Sequence, residues 1–218
     1  MSPAPSAIKA YISPFAAFLA VMIVADLFPP ATRTWSYVAQ IVVCGALLIR
    51  FRSVYQLRMP KKVAFTLLVA ILMLIIWVSP QMLFRQPLRF QGFDPTVFKD
   101  HPALYASVVV VRFIRLAVIV PFIEEIFWRG FLLRYLIRED FESVPPRTFT
   151  WLSFSIVTVC FCLEHQFADY PAALLAGALF NLAYYRTRSL SSCILLHAVA
   201  NFLLGMYIMR TGQWGFWL

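Results

Sequence analysis

The sequence predicts an all-α, polytopic transmembrane helical bundle of about seven spans, with eight as the alternative and the N-terminus cytoplasmic. Three observations predict it. The 218 residues are 61% hydrophobic and only 13% charged, with a mean hydropathy of +0.77; a soluble domain runs about 45–50% apolar and about 25% charged. The apolar excess falls in long blocks that do not alternate with period two, which favours helices over a barrel. The basic residues lie mostly between those blocks.

The blocks, in order, are Tyr11–Phe28, Tyr37–Ile49, Val63–Val78, Ala103–Ile123, Phe149–Leu163, Pro171–Tyr185 and Leu190–Met209. A helix needs roughly 20 residues to cross about 30 Å of hydrocarbon, so the second, fifth and sixth blocks must borrow flanking residues or sit where the bilayer thins. The first block reads as a retained anchor rather than a cleaved signal, because Asp26 and the Pro29–Pro30 pair stand where a small-residue cleavage site would be needed. Phe84 to Phe90 could lie in the interface as a short amphipathic piece, or form an ordinary loop. The run from Ala103 to Ile137 is long for one span, about 50 Å as a single helix. It must project beyond the bilayer or bend at Pro121.

Net charge is +9. On a soluble chain that balance would suggest nucleic acid. Here topology accounts for it and no nucleic-acid partner is expected. The loop after the second block holds Arg50, Arg52, Arg58, Lys61 and Lys62 and should be cytoplasmic. Lys9, Arg134, Arg138, Arg147, Arg186 and Arg188 then fall inside as well. The outside keeps Arg33, Arg85, Arg89, Lys99 and Arg210, so the bias is eleven to five. Cys44, Cys160, Cys162 and Cys193 all lie in apolar blocks without a CxxC, and read as buried free thiols. The chain reads as one membrane domain, 1–218, in which 1–102 supplies N-terminal spans and a loop, and 103–209 carries the chemistry.

Charges at membrane depth are costly and usually face a bundle interior or a wet cavity. The fourth block carries Arg112, Arg115, Glu124, Glu125 and Arg129. Glu125 and Arg129 are i and i+4 and can pair on one face. Glu124 lies about 100° around the helix and is free to face a cavity. The same spacing places His165 below Phe161 and Asn201 below His197. Each pair alone could be a structural ion pair or an interhelical hydrogen bond. Together they assemble two carboxylates, an arginine, two imidazoles and a carboxamide in one small domain. Glu164 and Asp169 are rival acids expected to be solvated near the outer boundary, and His101 is expected on the surface.

Glu124-Glu125-x-x-x-Arg129, Phe161-x-x-x-His165 and His197-x-x-x-Asn201, in this order on separate spans, resemble the three motifs of the CPBP/Abi intramembrane protease family, which includes the type II CAAX prenyl endopeptidases. Phe127-Trp-Arg-Gly-Phe-Leu-Leu-Arg134 is similar to its prokaryotic, exosortase-associated branch. The resemblance covers about Ala103–Gly205. It implies a glutamic-type endopeptidase in which Glu124 is the general base, His165 positions and polarises the water, His197 and Asn201 stabilise the oxyanion, and Glu125 and Arg129 support the site. It implies a membrane-associated protein or peptide substrate, lipidated or carrying a sorting signal, an exosortase-type sorting system as a partner, and the cell inner membrane as the location.

No cofactor is expected, although a metal held by Glu124, His165 and His197 stays open as an alternative, since these are zinc ligand types. The HExxH and GxSxG signatures are absent. The runner-up is a non-catalytic maturation or immunity scaffold that uses the same polar cluster structurally. A transporter is disfavoured, because the polar residues sit at one depth and no inverted repeat is visible. Measured from the basic face, at about 1.5 Å per residue, Glu124 and Asn201 share a depth while His165 looks too deep. The chamber is expected to open towards the basic, cytoplasmic half.

Overall fold

The computed structural model describes residues 5–28, 33–84, 89 and 92–217. The interfacial reading of Phe84 to Phe90 falls mainly outside them, as does the Pro29–Pro30 pair. The described residues form seven helices: α1 Pro5–Ala25, α2 Arg33–Arg50, α3 Val63–Phe84, α4 Pro102–Tyr135, α5 Trp151–Leu163, α6 Tyr170–Thr187 and α7 Leu190–Thr211. Each matches an apolar block of the sequence. Four of them, α1, α3, α4 and α7, are long and apolar enough to cross a bilayer, whereas α5 has 13 residues. Leu68, Ile71, Leu72 and Ile75 of α3, with Val110, Ile114 and Val118 of α4, are exposed apolar side chains. Water would make such a surface sticky; lipid tails solvate it.

Helix ends follow local chemistry. The Thr150 and Ser189 side chains accept the Ser153 and Ser192 backbone N–H groups at the starts of α5 and α7. Left-handed residues end α6 and α7, Arg188 at φ 54° and Gly212 at φ 67°. Outside the spans, Tyr55 donates to the Ala10 carbonyl at 2.7 Å, and burial pushes its phenol up so that it remains a donor.

The long helix α4 absorbs Pro121 with two π-turns, Arg115–Ile119 before it and Ile126–Leu132 after it. In the first, Val120 N–H bonds the Arg115 carbonyl, five residues back. The next donor in that register is residue 121, and proline has no N–H. The Leu116 carbonyl is instead taken by Asn201 Nδ2 at 2.9 Å. Freed backbone in a membrane helix is re-satisfied by a neighbouring side chain in this way. In the second π-turn, a Cβ on Gly130 would lie 2.9 Å from Tyr11 Cε1, so glycine is what lets α1 approach.

The main core joins Phe15 of α1, Met73 of α3, Trp128 of α4, Phe161 of α5, Phe180 of α6 and Leu196 of α7. Ala172, Ala173, Ala176, Gly177 and Ala183 line α6 with small side chains, which permits close helix packing. After α7 the chain folds back, and Arg112 holds it by donating to the Trp217 carbonyl at 2.9 Å and to Tyr37 Oη at 3.1 Å.

Candidate active site

The π-turns of α4 bracket Glu124 and Glu125 and direct them to different surroundings. Glu125 is fully buried, and its Oε1 accepts from Arg129 Nη1 at 3.1 Å and from His197 Nδ1 at 2.9 Å. Arg129 continues the network, donating from Nε to Asn181 Oδ1 at 3.1 Å and from Nη2 to the Gly177 carbonyl at 3.3 Å. Its guanidinium sits between the rings of Phe161 and Phe180, 5.0 and 4.7 Å from their centroids. Asn181 is anchored in turn by donating to Thr158 Oγ1 at 3.1 Å. Charge and hydrogen bonds are therefore both met at Arg129, which a buried ion needs.

Glu124 is different. The Oε2 atoms of both carboxyls are buried without a hydrogen-bond partner among the described residues, but Glu125 is held through its Oε1, whereas the Glu124 side chain makes no hydrogen bond among them and borders open space. Such an orphan usually marks a place for water or ligand. Glu124 lines a cavity of about 280 Å³ together with Glu164, His165, His197, Asn201 and Arg115. His165 faces Phe161 with Nδ1 2.7 Å from its carbonyl. A carbonyl only accepts, so Nδ1 carries the proton and Nε2 keeps its lone pair in the neutral ring. Trp77 meets the His165 ring edge-to-face at 5.1 Å. The His197 Nδ1 is held by Glu125, so its Nε2 is likewise the nitrogen left over.

All six residues singled out in the sequence, Glu124, Glu125, Arg129, His165, His197 and Asn201, converge around this cavity or directly behind it. Glu125 and Arg129 stand behind, and the other four line it. Among the described residues no group of three or more His, Cys, Asp or Glu is arranged to hold a metal ion.

The structure corrects several expectations. His165 does not lie on a span. Helix α5 ends at Leu163, and His165 reaches the cavity from the following turn, its N–H bonded to the Cys162 carbonyl at 3.1 Å. Glu164 is not a solvated boundary acid: its Oε2 accepts from Trp128 Nε1 at 3.2 Å, and it lines the cavity. Asp169 is buried and paired with Arg89.

The chamber does not lie in the basic half. Its wall takes Met22 from the end of α1, Trp77 from the last turns of α3 and Leu204 from the second half of α7, then Gln166, Asp169 and Phe216 beyond the helices. It occupies the half where α1, α3, α5 and α7 end, opposite the Arg50–Lys62 loop. Depth along a single helix gives the level of Glu124 but not which side of it is hollow.

Sequence reasoning missed Glu164, Asn181 and Arg115 as parts of the site. Asn181 carried a readable signal, an amide in an apolar block. Arg115 was noted as a deep charge but not assigned; its Nε donates to Gln40 Oε1 at 2.6 Å, and Gln40 in turn donates to the Phe18 carbonyl.

No curated protein and no solved structure matches the chain. One family model does match, over residues 106–203, described as type II CAAX prenyl endopeptidase Rce1-like. That interval holds every residue of the buried Glu125–Arg129–His197 network and all three motifs. The chain therefore carries, over residues 106–203, a domain of the Rce1-like type II CAAX prenyl endopeptidases, a family of peptidases.

Proposed function

We propose that this chain is an intramembrane glutamic-type endopeptidase that hydrolyses a peptide bond of a membrane-associated protein, with Glu124 as general base. The observation that carries the reading is the buried Glu124 carboxyl. It has an unpartnered oxygen beside a cavity that also holds two imidazoles and a carboxamide. Glu124 takes a proton from a water that His165 Nε2 orients by accepting its other hydrogen. The water oxygen attacks the scissile carbonyl carbon, and the carbonyl electrons move onto its oxygen. His197 and Asn201 face that oxyanion. One Nδ2–H of Asn201 is held by Leu116 and the second is left to donate. His197 keeps its Nδ1 on Glu125, so Nε2 is the nitrogen that faces the oxyanion and donates to it. Collapse breaks the C–N bond, and Glu124 returns its proton to the leaving amine. Each well-placed oxyanion donor lowers such a barrier by about 3–4 kcal/mol, and no covalent intermediate is needed.

The seven helices would each cross the membrane, with the basic loops in the cytoplasm and the chamber in the outer half of the bilayer. The short, loop-poor chain fits a prokaryotic inner membrane and a lipidated or sorting-signal substrate, in keeping with the exosortase-associated branch. The walls given by Phe18, Met22, Met73 and Trp77 lie outside the matched interval, so we assign residues 1–102 to substrate selection.

Purified protein in detergent would be tested against a library of membrane-tethered peptides, with and without chelator, beside Glu124→Gln. Cleavage lost in the variant and indifferent to chelator supports this reading. Cleavage abolished by chelator moves it to a metalloprotease. The scaffold reading is kept alive by the Glu125–Arg129–Asn181 network, which is structural in character. It predicts that Glu124→Gln and His165→Ala leave biological function intact while Arg129 changes destroy folding.

A further inference from the structure

A second concavity, of about 290 Å³, lies on the opposite, basic face. Arg58 and Lys61 line it from the α2–α3 loop, Arg134 from the end of α4 and Arg188 from the α6–α7 junction. Glu142 is the one acid among its lining residues. None of the four cations joins an ion pair among the described residues.

The walls are fixed. Lys61 N–H donates to Ser192 Oγ at 2.7 Å, and the Ser192 hydroxyl donates back to the Lys61 carbonyl at 2.9 Å. Lys62 Nζ donates to the Arg186 carbonyl at 2.8 Å. The loop is thereby pinned both to the end of α6 and to the start of α7. Arg134 is held by the Val144 and Glu142 carbonyls at 2.9 and 2.8 Å and by the Gly130 carbonyl at 3.4 Å. Each of its terminal nitrogens still has an N–H to offer. The Ser189–Leu190–Ser191 start of α7 also borders the pocket, adding the positive end of a helix. Crowding of cations registers nearby: local desolvation, then the Arg186 and Arg188 charges, lower the Lys62 ammonium.

The cytoplasmic bias of basic residues accounts for charge on this face. It does not account for four cations converging on one walled depression while Arg52 and Arg147, on the same face, stay out of its lining. We propose that this pocket binds a phosphate anion, presented either by the headgroup of an anionic phospholipid or as free inorganic phosphate. Guanidinium groups match phosphate oxygens in geometry and charge, and the helix ends put the pocket at the level where headgroups lie. The pocket exceeds a bare phosphate and leaves room for a phosphoglycerol group. The inference does not rest on the peptidase reading.

The test uses the full chain in neutral detergent at constant ionic strength. Phosphatidylglycerol, phosphatidylcholine and inorganic phosphate are titrated separately, and bound lipid is counted by native mass spectrometry beside the thermal midpoint. Arg58→Gln/Lys61→Gln removes two exposed side chains that make no hydrogen bond or ion pair among the described residues, and it spares Arg188, whose backbone is left-handed. Saturable phosphatidylglycerol binding should exceed phosphatidylcholine binding and weaken roughly tenfold or more in this pair. It should be unchanged in the Arg52→Gln/Arg147→Gln control. A saturable shift with inorganic phosphate alone, lost in the same pair, supports the site and identifies free phosphate as the source. Equal binding of both lipids without a phosphate effect overturns the proposal, as does an equal loss in the control pair.

Discussion

Glu124 and Glu125 are neighbours in sequence with opposite surroundings. One helical step of about 100° turns Glu125 into a network of Arg129 and His197 and leaves Glu124 facing the cavity with no side-chain hydrogen bond among the described residues. Removing one partner of a fully buried, hydrogen-bonded ion pair typically costs about 3–5 kcal/mol. Glu125→Gln and Arg129→Gln should therefore each lower stability by that order, seen as a falling thermal midpoint in detergent, whatever happens to activity. Asn181→Ala should cost less, about 1–3 kcal/mol, because Arg129 keeps its carboxylate. The Glu125–Arg129 pairing was legible because it is local, i and i+4 on one helix. The Asn181 and Glu164 contacts were not, since each depends on which face of another helix is presented, and no one-dimensional spacing carries that.

At the scale of the element, α4 is where sequence and structure agree in kind and differ in means. Pro121 predicted a break or bend, and the helix instead widens into π-turns on either side, as membrane helices do where function concentrates. The consequence joins two helices. The Leu116 carbonyl, deprived of a donor by Pro121, is bound by Asn201, so the same side chain proposed for the oxyanion also mends the backbone. Asn201→Ala should lose about 1–3 kcal/mol by orphaning that carbonyl. Adding Pro121→Ala supplies a backbone N–H, and the double variant should regain part of the loss in a double-mutant cycle of thermal unfolding. Strict additivity would show that the two positions are not coupled through Leu116. Helix existence was readable for all seven elements from apolar blocks; the π-turns were not, because they depend on this tertiary partnership.

At the scale of the whole molecule, the cavity around Glu124 and the basic pocket lie at opposite ends of the bundle. The cavity around Glu124 reaches the ends of α1, α3 and α7, while the basic pocket opens beside the α2–α3 loop. Charge bias in the sequence assigned the faces, but the hollow side of the bundle depends on how α1 and α3 splay against α7. With the basic loops cytoplasmic, single cysteines introduced at exposed Ser53 and Gln166 should react with an impermeant thiol reagent from opposite sides of intact membranes. The native thiols, mostly buried, should stay silent. Labelling of both from one side would contradict the through-bundle arrangement.

Glu124 does chemistry in this reading while Glu125 holds the fold. The most direct measurement takes cleavage rate and thermal midpoint on the same preparations of wild type, Glu124→Gln and Glu125→Gln. Loss of a general base lowers turnover by about 10²–10⁴. Replacing an unpaired buried carboxyl by an amide should leave the midpoint unchanged or raised. Glu124→Gln should be inactive and stable, and Glu125→Gln unstable. A Glu124→Gln protein that cleaves at the wild-type rate, or that loses activity only in step with its fold, would contradict this reading.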